Sequence, residues 1–378
     1  MVQLLQHSFP WGTGSSVKKI FIYLPLIFLM CRNAGVYRHD FDLEVGKLQT
    51  SFSKVAVSGG MAAIQELKNG QLTTFSSAPG IQFRVEFLTG AVTTWLYEAR
   101  NLVPGSAITI VSDTGTVIPV SQKTTISPTR TSWSFDRGAF SYVDITLSPP
   151  GTSSGGSFRL AVLSDIQRAI DKVQDIYDKV NSDSSIEFII SAGDLTANGT
   201  EEEMQTFQDK LKGLNVPLYA TPGNHDAFAG FTPWQKYFGR GSFQFQYKGV
   251  FFTFIDTGKA GVEAPTYAYL ESWLNAGLDY RSVVLAHIAP IEPSGVRDGA
   301  FSSKPEALRV IELLTRYRVD LSLYGHVHSY FKYSHAGIPA YISGGGGALP
   351  MRFDGINRHY LTVDFNPGSI DVNVVRVD

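Results

Sequence analysis

Two apolar segments in the middle of the chain decide its fold class. Residues 158–167 read FRLAVLSDIQ, and residues 187–196 read EFIISAGDLT. Each begins as a nearly uninterrupted apolar run, which is typical of a strand buried on both faces of a parallel sheet. Each then ends in small and acidic residues, which indicate a loop. The two segments therefore predict parallel strands with polar residues collected at their carboxyl ends.

The residues around these strands alternate between helix and strand patterns. An amphipathic pattern over 168–180 separates the two strands, and Thr200 followed by Glu203 predicts a capped helix before a third strand at 216–221. Strands that alternate with helices predict right-handed crossovers and an α/β fold. The pattern continues with a hairpin at 243–255, helices at 266–276 and 304–317, strands at 282–286 and 320–324, and β-rich segments at 330–343 and 358–377.

The amino-terminal part of the chain has a different pattern. Short strand-like runs at 81–87, 92–97 and 107–111 are separated by Gly, Pro, Ser and Asp residues, and 141–147 alternates apolar with polar side chains. This pattern predicts a small antiparallel β-sandwich. Gly, Ser and Pro residues then form a linker. The expected domains are an all-β sandwich over 35–148, a linker over 149–157 and an α/β domain over 158–378.

The first 34 residues have the features of an export signal. Lysines at 18–19 precede an apolar run over 20–30, which is shorter than the roughly 20 residues of a membrane-spanning helix. Cys31 follows the run at the position of a lipidated cysteine, and Ala34 offers another cleavage site. We therefore expect export to the cell envelope, periplasmic or lipid-anchored to a membrane, or secretion. A buried hydrophobic segment in a cytoplasmic protein is the alternative.

The overall composition is that of a folded chain without a strong charge bias. Hydrophobic residues make up 43% and charged residues 17%, and the net charge is −2. This balance gives no indication of nucleic-acid binding. The single cysteine excludes an intramolecular disulfide, so any metal ligands would be carboxylates, amides and imidazoles.

Five short polar motifs follow the predicted strands and contain side chains of those three kinds. They are Ser164-Asp165-Ile166-Gln167, Gly193-Asp194-Leu195-Thr196, Gly223-Asn224-His225-Asp226, Ala286-His287 and Gly325-His326-Val327-His328. Mixed oxygen and nitrogen donors without thiolate suit two ions from the manganese, iron and zinc range. Two ions bridged by a carboxylate would lower the pKa of a shared water and offset the charge of phosphate oxygens.

The order of the motifs resembles that of the calcineurin-like metallophosphoesterases, which include purple acid phosphatases and cyclic nucleotide phosphodiesterases. The resemblance covers about 220 residues and implies a two-sheet αββα sandwich for 158–378. It also implies a phosphoester hydrolase that uses a metal-bound hydroxide as nucleophile. A phosphodiesterase is slightly favoured over a phosphomonoesterase, and the substrate is expected to be a small molecule or a lipid.

The resemblance also assigns residues by position. It implies Asp165, Gln167, Asp194 and His328 as ligands of a first ion, and the bridging Asp194 with Asn224, His287 and His326 as ligands of a second. It implies His225 as the general acid that protonates the leaving oxygen, oriented by Asp226. Most of the family has His where this chain has Gln167, so the first ion is expected to bind more weakly or to be manganese or magnesium.

Other interpretations of these residues stay open at this point. Asp165 and Asp194 also suit helix caps, and His287 alone would suit a buried core histidine. Gln167 leaves room for a non-catalytic protein that binds phosphate or a partner. The amino-terminal sandwich could be an adhesion module, although packing against the α/β domain is favoured.

Further residues have less specific signals. The four glycines at 344–347 predict a close backbone approach beside the site, with amides that could contact substrate. We expect His335 and His359 to be structural or surface residues. Phosphate or headgroup contacts are predicted for Tyr237, Arg240, Lys259 and Arg297.

Overall fold

The computed structural model describes residues 37–151, 155–295, 298–351 and 354–377. The described residues from Arg38 onward form one compact unit. The predictions of an export signal and of a lipid on Cys31, and the predicted contact at Arg297, concern residues outside the described ranges. Within those ranges, every helix is too short or too polar to cross a membrane.

Residues 47–148 form two five-stranded sheets whose inner faces share one apolar core. The first sheet contains, in spatial order, β1 (Lys47–Gln49), β2 (Ser53–Val57), β5 (Ile81–Phe87), β10 (Tyr142–Ser148) and β7 (Ala107–Ser112). The second contains β3 (Ala62–Lys68), β4 (Gln71–Ser76), β6 (Thr94–Arg100), β9 (Arg130–Asp136) and β8 (Val120–Ser127). Apolar and polar residues alternate in β5, where Phe83 and Val85 are buried and Gln82 and Arg84 are exposed.

The prediction of an antiparallel sandwich is correct for most strand pairs, but β4 and β6 are parallel. The strand between them in sequence, β5, lies in the other sheet. The chain therefore crosses to the first sheet and returns, so that β6 runs in the same direction as β4. Alternating hydrophobicity marks the buried face of a strand but does not determine its neighbours.

The second half of the chain forms two larger mixed sheets. One contains β13 (Leu218–Ala220), β12 (Ile186–Ser191), β11 (Phe158–Leu163), β20 (His359–Phe365) and β21 (Ile370–Arg376). The other contains β14 (Phe243–Tyr247), β15 (Val250–Ile255), β16 (Arg281–Ala286), β17 (Leu321–Tyr324), β19 (Ile338–Ser343) and β18 (Tyr330–His335). In the first sheet β11, β12 and β13 are parallel, and in the second β15, β16, β17 and β19 are parallel.

The two large sheets pack face to face and are covered by helices on their outer sides. Phe188 of one sheet and Phe252 of the other are in contact within the central core, with ring centroids 5.8 Å apart. One outer layer contains the helices Gln174–Ser182, Glu201–Lys210 and Thr232–Tyr237, and the other contains Thr266–Ala276 and Lys304–Arg316. This is the αββα arrangement that the motif order implied.

The helix expected over 168–180 begins later than predicted. A 3-10 turn occupies Gln167–Lys172, and the α-helix extends over Gln174–Ser182. The backbone is left-handed at Asp165 and Gln167, with φ of 60° and 48°. These two residues therefore cannot belong to a regular right-handed helix.

Asn101 connects the amino-terminal sheets to the edge of a large sheet. Its Nδ2 donates hydrogen bonds to the carbonyl oxygens of Ser76 and Leu218 at 2.7 Å, and its Oδ1 accepts one from the Leu218 amide at 2.9 Å. Leu218 begins β13, which is the edge strand of its sheet. The Asn101 side chain therefore takes the place of a neighbouring strand on that edge.

The variant Asn101→Ala should lower the free energy of unfolding by about 3 kcal/mol, because it leaves buried backbone groups without partners and places alanine at a φ of 63°. Urea denaturation of the folded chain measures this loss. The control variant is Asn357→Ala, because Asn357 is exposed and has a φ of 60°. The control should lose only about 1 kcal/mol, from backbone strain. Equal losses in the two variants would contradict the hydrogen-bonded connection.

Candidate metal centre

The five polar motifs meet where parallel strands of both large sheets end. Backbone hydrogen bonds join the loops directly: the Asp165 amide donates to the Gly193 carbonyl, and the Gly325 amide donates to the His287 carbonyl, both at 3.0 Å. The amide of His326 also donates to Oδ2 of Asp165, at 3.0 Å. Loops from the two sheets are therefore fixed to each other at this edge.

Four of the side chains that the sequence placed in the site come from left-handed backbone positions. They are Asp165, Gln167, Asp194 and His326, with φ between 48° and 69°. Each such position costs about 1–3 kcal/mol for a residue other than glycine, and it persists only where surrounding contacts hold it. The strain lies at the site and is maintained by the hydrogen bonds that join the loops.

Two glycines are required because the loops approach each other so closely. A Cβ atom at Gly223 would lie 2.0 Å from Oδ1 of Asp194, and one at Gly193 would lie 2.3 Å from the amide nitrogen of Gly223. Gly193 also has a φ of 93°. A side chain at either position would displace the Asp194 carboxylate or the backbone beside it.

Asp194 is the residue that connects two groups of potential metal ligands. Asp194, His287 and His326 form one group, and Asp165, Asp194 and His328 form the other; within each group the ligand atoms lie within 4.8 Å of one another. Both carboxylates are almost completely buried. Five of the predicted ligands are thus together, arranged around one shared carboxylate.

Each of the four imidazoles at the site has one ring nitrogen in contact with a backbone carbonyl. The pairs are His225 Nδ1 with Ala197, His287 Nδ1 with Ala192, His326 Nε2 with Asp298 and His328 Nδ1 with Leu349, at 2.7–2.9 Å. A nitrogen facing a carbonyl must carry hydrogen. In a neutral imidazole, the other ring nitrogen is then free to bind a metal ion.

The contacts at His287 show that the site fits a cation. Its Nε2 lies 3.0 Å from Oδ1 of Asn224 and 3.3 Å from Oδ1 of Asp194. All three atoms are acceptors when the imidazole is neutral, so only a positive charge among them makes the arrangement favourable. A metal ion or a proton supplies that charge.

The electrostatics of the buried groups agree with this geometry. Burial favours the neutral form of His287, but the Asp194 charge and hydrogen bonding to it raise the His287 pKa to about 9. Burial opposes ionisation of Asp194, yet the neighbouring His287 and His225 hold the pKa of its carboxyl well below its usual range. The centre stabilises positive charge beside an ionised Asp194.

Gln167 lies at the centre, but its amide nitrogen points toward the other ligands. Its Nε2 donates to Oδ2 of Asp194 at 2.8 Å and lies 3.2 Å from Nε2 of His328. A ligand role would require the amide oxygen in place of the nitrogen. The side chain is therefore within reach of the first ion, and its role as a ligand stays a prediction.

His225 lies beside the shared carboxylate, with its Nε2 4.0 Å from Oδ2 of Asp194. The hydrogen bonds of Asp226 do not include one to the ring of His225, and its orienting role stays a prediction. Its buried carboxylate instead accepts hydrogen bonds from the amides of Leu195, Thr196 and Gly223. Asp226 thus joins the second and third motif loops, and the ring of His225 is oriented by the Ala197 carbonyl.

The sequence analysis did not predict several features of the site. The carbonyls that orient the imidazoles carry no signal in the sequence, because every residue has one. Ser164 was not singled out, although its hydroxyl lies within hydrogen-bond distance of two acceptors, Oδ2 of Asp165 and the carbonyl oxygen of Ser343. A serine directly before a predicted ligand was the available signal.

The glycines at 344–347 make the close backbone approach that the sequence predicted. A Cβ atom at Gly346 would lie 2.3 Å from the carbonyl oxygen of Ser164. The amides of Gly344 and Gly346 donate to the carbonyls of Ser329 and Ser164. These two amides are therefore engaged within the protein rather than available to a substrate.

Three of the four predicted phosphate or headgroup contacts lie in the described residues. Tyr237 is buried in the core, and Lys259 pairs with Glu263 at 2.6 Å. The guanidinium of Arg240 is mostly buried, and burial lowers its pKa. His335 and His359 are buried outside the centre, in agreement with a structural role.

Comparison with known proteins identifies the domain. Residues 158–330 match the family model described as calcineurin-like phosphoesterase. By this match, residues 158–330 form a calcineurin-like phosphoesterase domain. The five motifs and both groups of potential ligands lie inside the matched region.

Two curated relatives of this superfamily are phosphodiesterases by name. One is a probable glycerophosphodiester phosphodiesterase of Arcobacter nitrofigilis, 27% identical over 154 residues, which are 38% of this chain and 56% of the relative. The other is a 3',5'-cyclic-nucleotide phosphodiesterase of Nostoc, 28% identical over 158 residues, which are 39% of this chain and 58% of the relative. The chain thus spans slightly more than half the length of each.

Solved structures include more distant neighbours. A dimetal phosphatase from Danio rerio has a TM-score of 0.48 and 11% identity, and the match covers 58% of this chain and 96% of that one. The GAP50 protein of Plasmodium has a TM-score of 0.47 and 16% identity, with coverages of 59% and 85%.

The variant Asp194→Asn should weaken Mn²⁺ binding by about 100-fold or more, because Asp194 belongs to both groups of potential ligands. Calorimetric titration and the metal content of the purified chain measure the effect. Asp279→Asn is the control, since Asp279 is an exposed aspartate outside both groups. An unchanged Mn²⁺ affinity in Asp194→Asn would remove Asp194 from the ligand set.

Proposed function

We propose that this protein is a metal-dependent phosphoester hydrolase and that it acts on phosphodiesters. The observation that carries the proposal is the position of Asp194, which is shared by two groups of potential ligands. A carboxylate between two ions is the usual basis of metal-assisted phosphoryl chemistry. The names of the two curated relatives support diesters as the substrate class.

The donor set fits two ions from the manganese, iron and zinc range. Asp165, Asp194 and His328 would hold one ion, with Gln167 as a further ligand if its oxygen turns inward. Asp194 with Asn224, His287 and His326 would hold the other. When bound, such ions would polarise the phosphoryl oxygens and provide the attacking water in its ionised form.

His225 is suited to deliver the proton that the leaving oxygen needs. The carbonyl of Ala197 fixes hydrogen on Nδ1, so that Nε2 is the atom that gains and gives up the catalytic proton. This atom lies 4.0 Å from Asp194, and the side chain is 31% exposed. The side chain is therefore partly open to solvent and lies beside the two ligand groups, of which it is not a member.

The variant His225→Ala should lower kcat for phosphodiesters with poor leaving groups by about 10²–10⁴-fold, because general acid catalysis is lost. The loss should be smaller for bis(p-nitrophenyl) phosphate, since p-nitrophenolate leaves with less need for a proton. The measurement compares that diester with glycerophosphocholine and p-nitrophenyl phosphate in the Mn²⁺-loaded chain. Wild-type cleavage of the diester should exceed that of the monoester.

Mn²⁺ binding serves as the control for this variant. His225→Ala should bind Mn²⁺ as the wild type does, because His225 is proposed as an acid and not as a ligand. Loss of metal would make His225 a ligand instead. No turnover of any of these esters by the metal-loaded wild type would support the alternative, a protein that binds phosphate or a partner without catalysis.

The variant Gln167→His should raise the Mn²⁺ affinity of the weaker position about tenfold, because an imidazole supplies a nitrogen ligand where an amide nitrogen now points inward. Calorimetric titration distinguishes the two positions by their affinities. Gln167→Ala is the matched control and should weaken binding if the amide oxygen coordinates the ion. Unchanged affinity in both variants would exclude position 167 from the first site.

A further inference from the structure

Large apolar side chains are exposed on loops attached to the metal centre. Phe228 is 63% exposed, Leu349 is 84% exposed and Met351 is 38% exposed. Single exposed apolar residues are ordinary on protein surfaces. These three differ because direct contacts join each of them to a histidine of the centre.

Phe228 lies against the proposed acid. The ring centroids of Phe228 and His225 are 4.7 Å apart, and the ring planes meet at 69°. The two residues belong to one tight turn, since His225–Ala227 is a 3-10 helix and the Phe228 amide donates to the His225 carbonyl. The phenyl ring is therefore held next to the imidazole and exposes most of its surface to solvent.

Leu349 and Met351 are attached to another histidine of the same centre. The carbonyl of Leu349 accepts from Nδ1 of His328, and the Met351 amide donates to the His328 carbonyl, both at 2.9 Å. His328 and His225 are each close to Asp194, His328 as a member of its ligand group and His225 at 4.0 Å. Leu349 and Met351 are thus joined to the centre through their backbone, whereas Phe228 contacts a histidine of the centre with its side chain.

The position of Phe228 identifies what it would contact. The acid that protonates the leaving oxygen must lie within hydrogen-bond distance of that oxygen. The leaving group would therefore lie close to the imidazole, against which Phe228 packs. A polar alcohol such as glycerol would gain little from a phenyl ring, whereas an aryl or alkyl group would bury apolar surface against it.

We propose that Phe228 forms an apolar leaving-group subsite and that the preferred substrates are phosphodiesters of aryl or alkyl alcohols. This inference rests on the proposed phosphodiesterase activity. Hydrolysis breaks the bond between phosphorus and the leaving oxygen and forms one to a water oxygen. Nε2 of His225 gives a proton to the leaving oxygen, and the proton lost by the water passes to solvent, from which His225 is reprotonated.

Kinetics of the Mn²⁺-loaded full chain test the subsite. In Phe228→Ala, kcat/KM for bis(p-nitrophenyl) phosphate should fall about tenfold or more, while that for glycerophosphocholine should change by less than about threefold. For each substrate, kcat/KM of the variant is divided by kcat/KM of the wild type. This ratio removes the difference in intrinsic reactivity between the two diesters. Phe228→Leu keeps an apolar surface and should retain most of the aryl activity.

Leu308→Ala is the matched control, because Leu308 is 62% exposed on the helix Lys304–Arg316, away from the motifs. This variant should leave kcat/KM unchanged for both diesters.

Binding of phosphonates tests the same subsite without turnover. Phenylphosphonate or octylphosphonate should bind the metal-loaded wild type about tenfold more tightly than methylphosphonate. This difference in affinity between the larger phosphonates and methylphosphonate should be smaller in Phe228→Ala and unchanged in Leu308→Ala. Tighter binding of the phenyl compound identifies aryl leaving groups, and tighter binding of the octyl compound identifies alkyl ones.

The outcomes separate this inference from the function on which it rests. No hydrolysis of either diester by the metal-loaded wild type contradicts the phosphodiesterase, and the phosphonates still test the apolar subsite. If Phe228→Ala hydrolyses both diesters and its kcat/KM falls equally for the two, the result contradicts the apolar subsite. The same result agrees with the phosphodiesterase activity. Equal affinities of the wild type for methylphosphonate, phenylphosphonate and octylphosphonate also contradict the apolar subsite.

Discussion

The position of the Asp194 carboxylate is the constraint on which the rest of the site depends. It must contact side chains from both large sheets, so the strands that carry them have to end at one edge of the sandwich. The close approach of the loops leaves no room for a side chain at Gly193 or Gly223. The left-handed backbone of Asp194 turns its carboxylate inward. The strain of this arrangement is offset by hydrogen bonds between loops rather than by local propensity.

The residues around the centre orient it through backbone groups. Four carbonyls fix the hydrogen positions of four imidazoles, and Asp226 binds the amides of two motif loops. Such contacts leave the other ring nitrogens of His287, His326 and His328 available to a metal ion. The rigidity of the centre therefore depends on correct folding of the loops over their whole length, and not only on the ligands.

The amino-terminal sheets are part of the same compact unit as the phosphoesterase domain. Phe75 of β4 packs against Phe238 with ring centroids 5.5 Å apart, and Asn101 covers the edge of β13. The strand β13 is also the one that leads into the third motif. The sandwich thus stabilises the edge of the sheet from which Asn224 and His225 project, which supports a structural contribution to the site rather than a separate module.

The sequence by itself determined the α/β class, most of the strand and helix order and the polar motifs that meet at the centre, because buried strands and polar strand ends have distinct local patterns. The αββα arrangement and the individual ligand assignments came from the family resemblance of those motifs. The sequence did not determine the parallel β4–β6 pair, the partners of Asp226 or the inward nitrogen of Gln167. Those depend on which strands become neighbours and on which groups remain free for hydrogen bonding after packing. Only the tertiary structure decides them, since they join residues far apart in the chain through backbone atoms common to every residue.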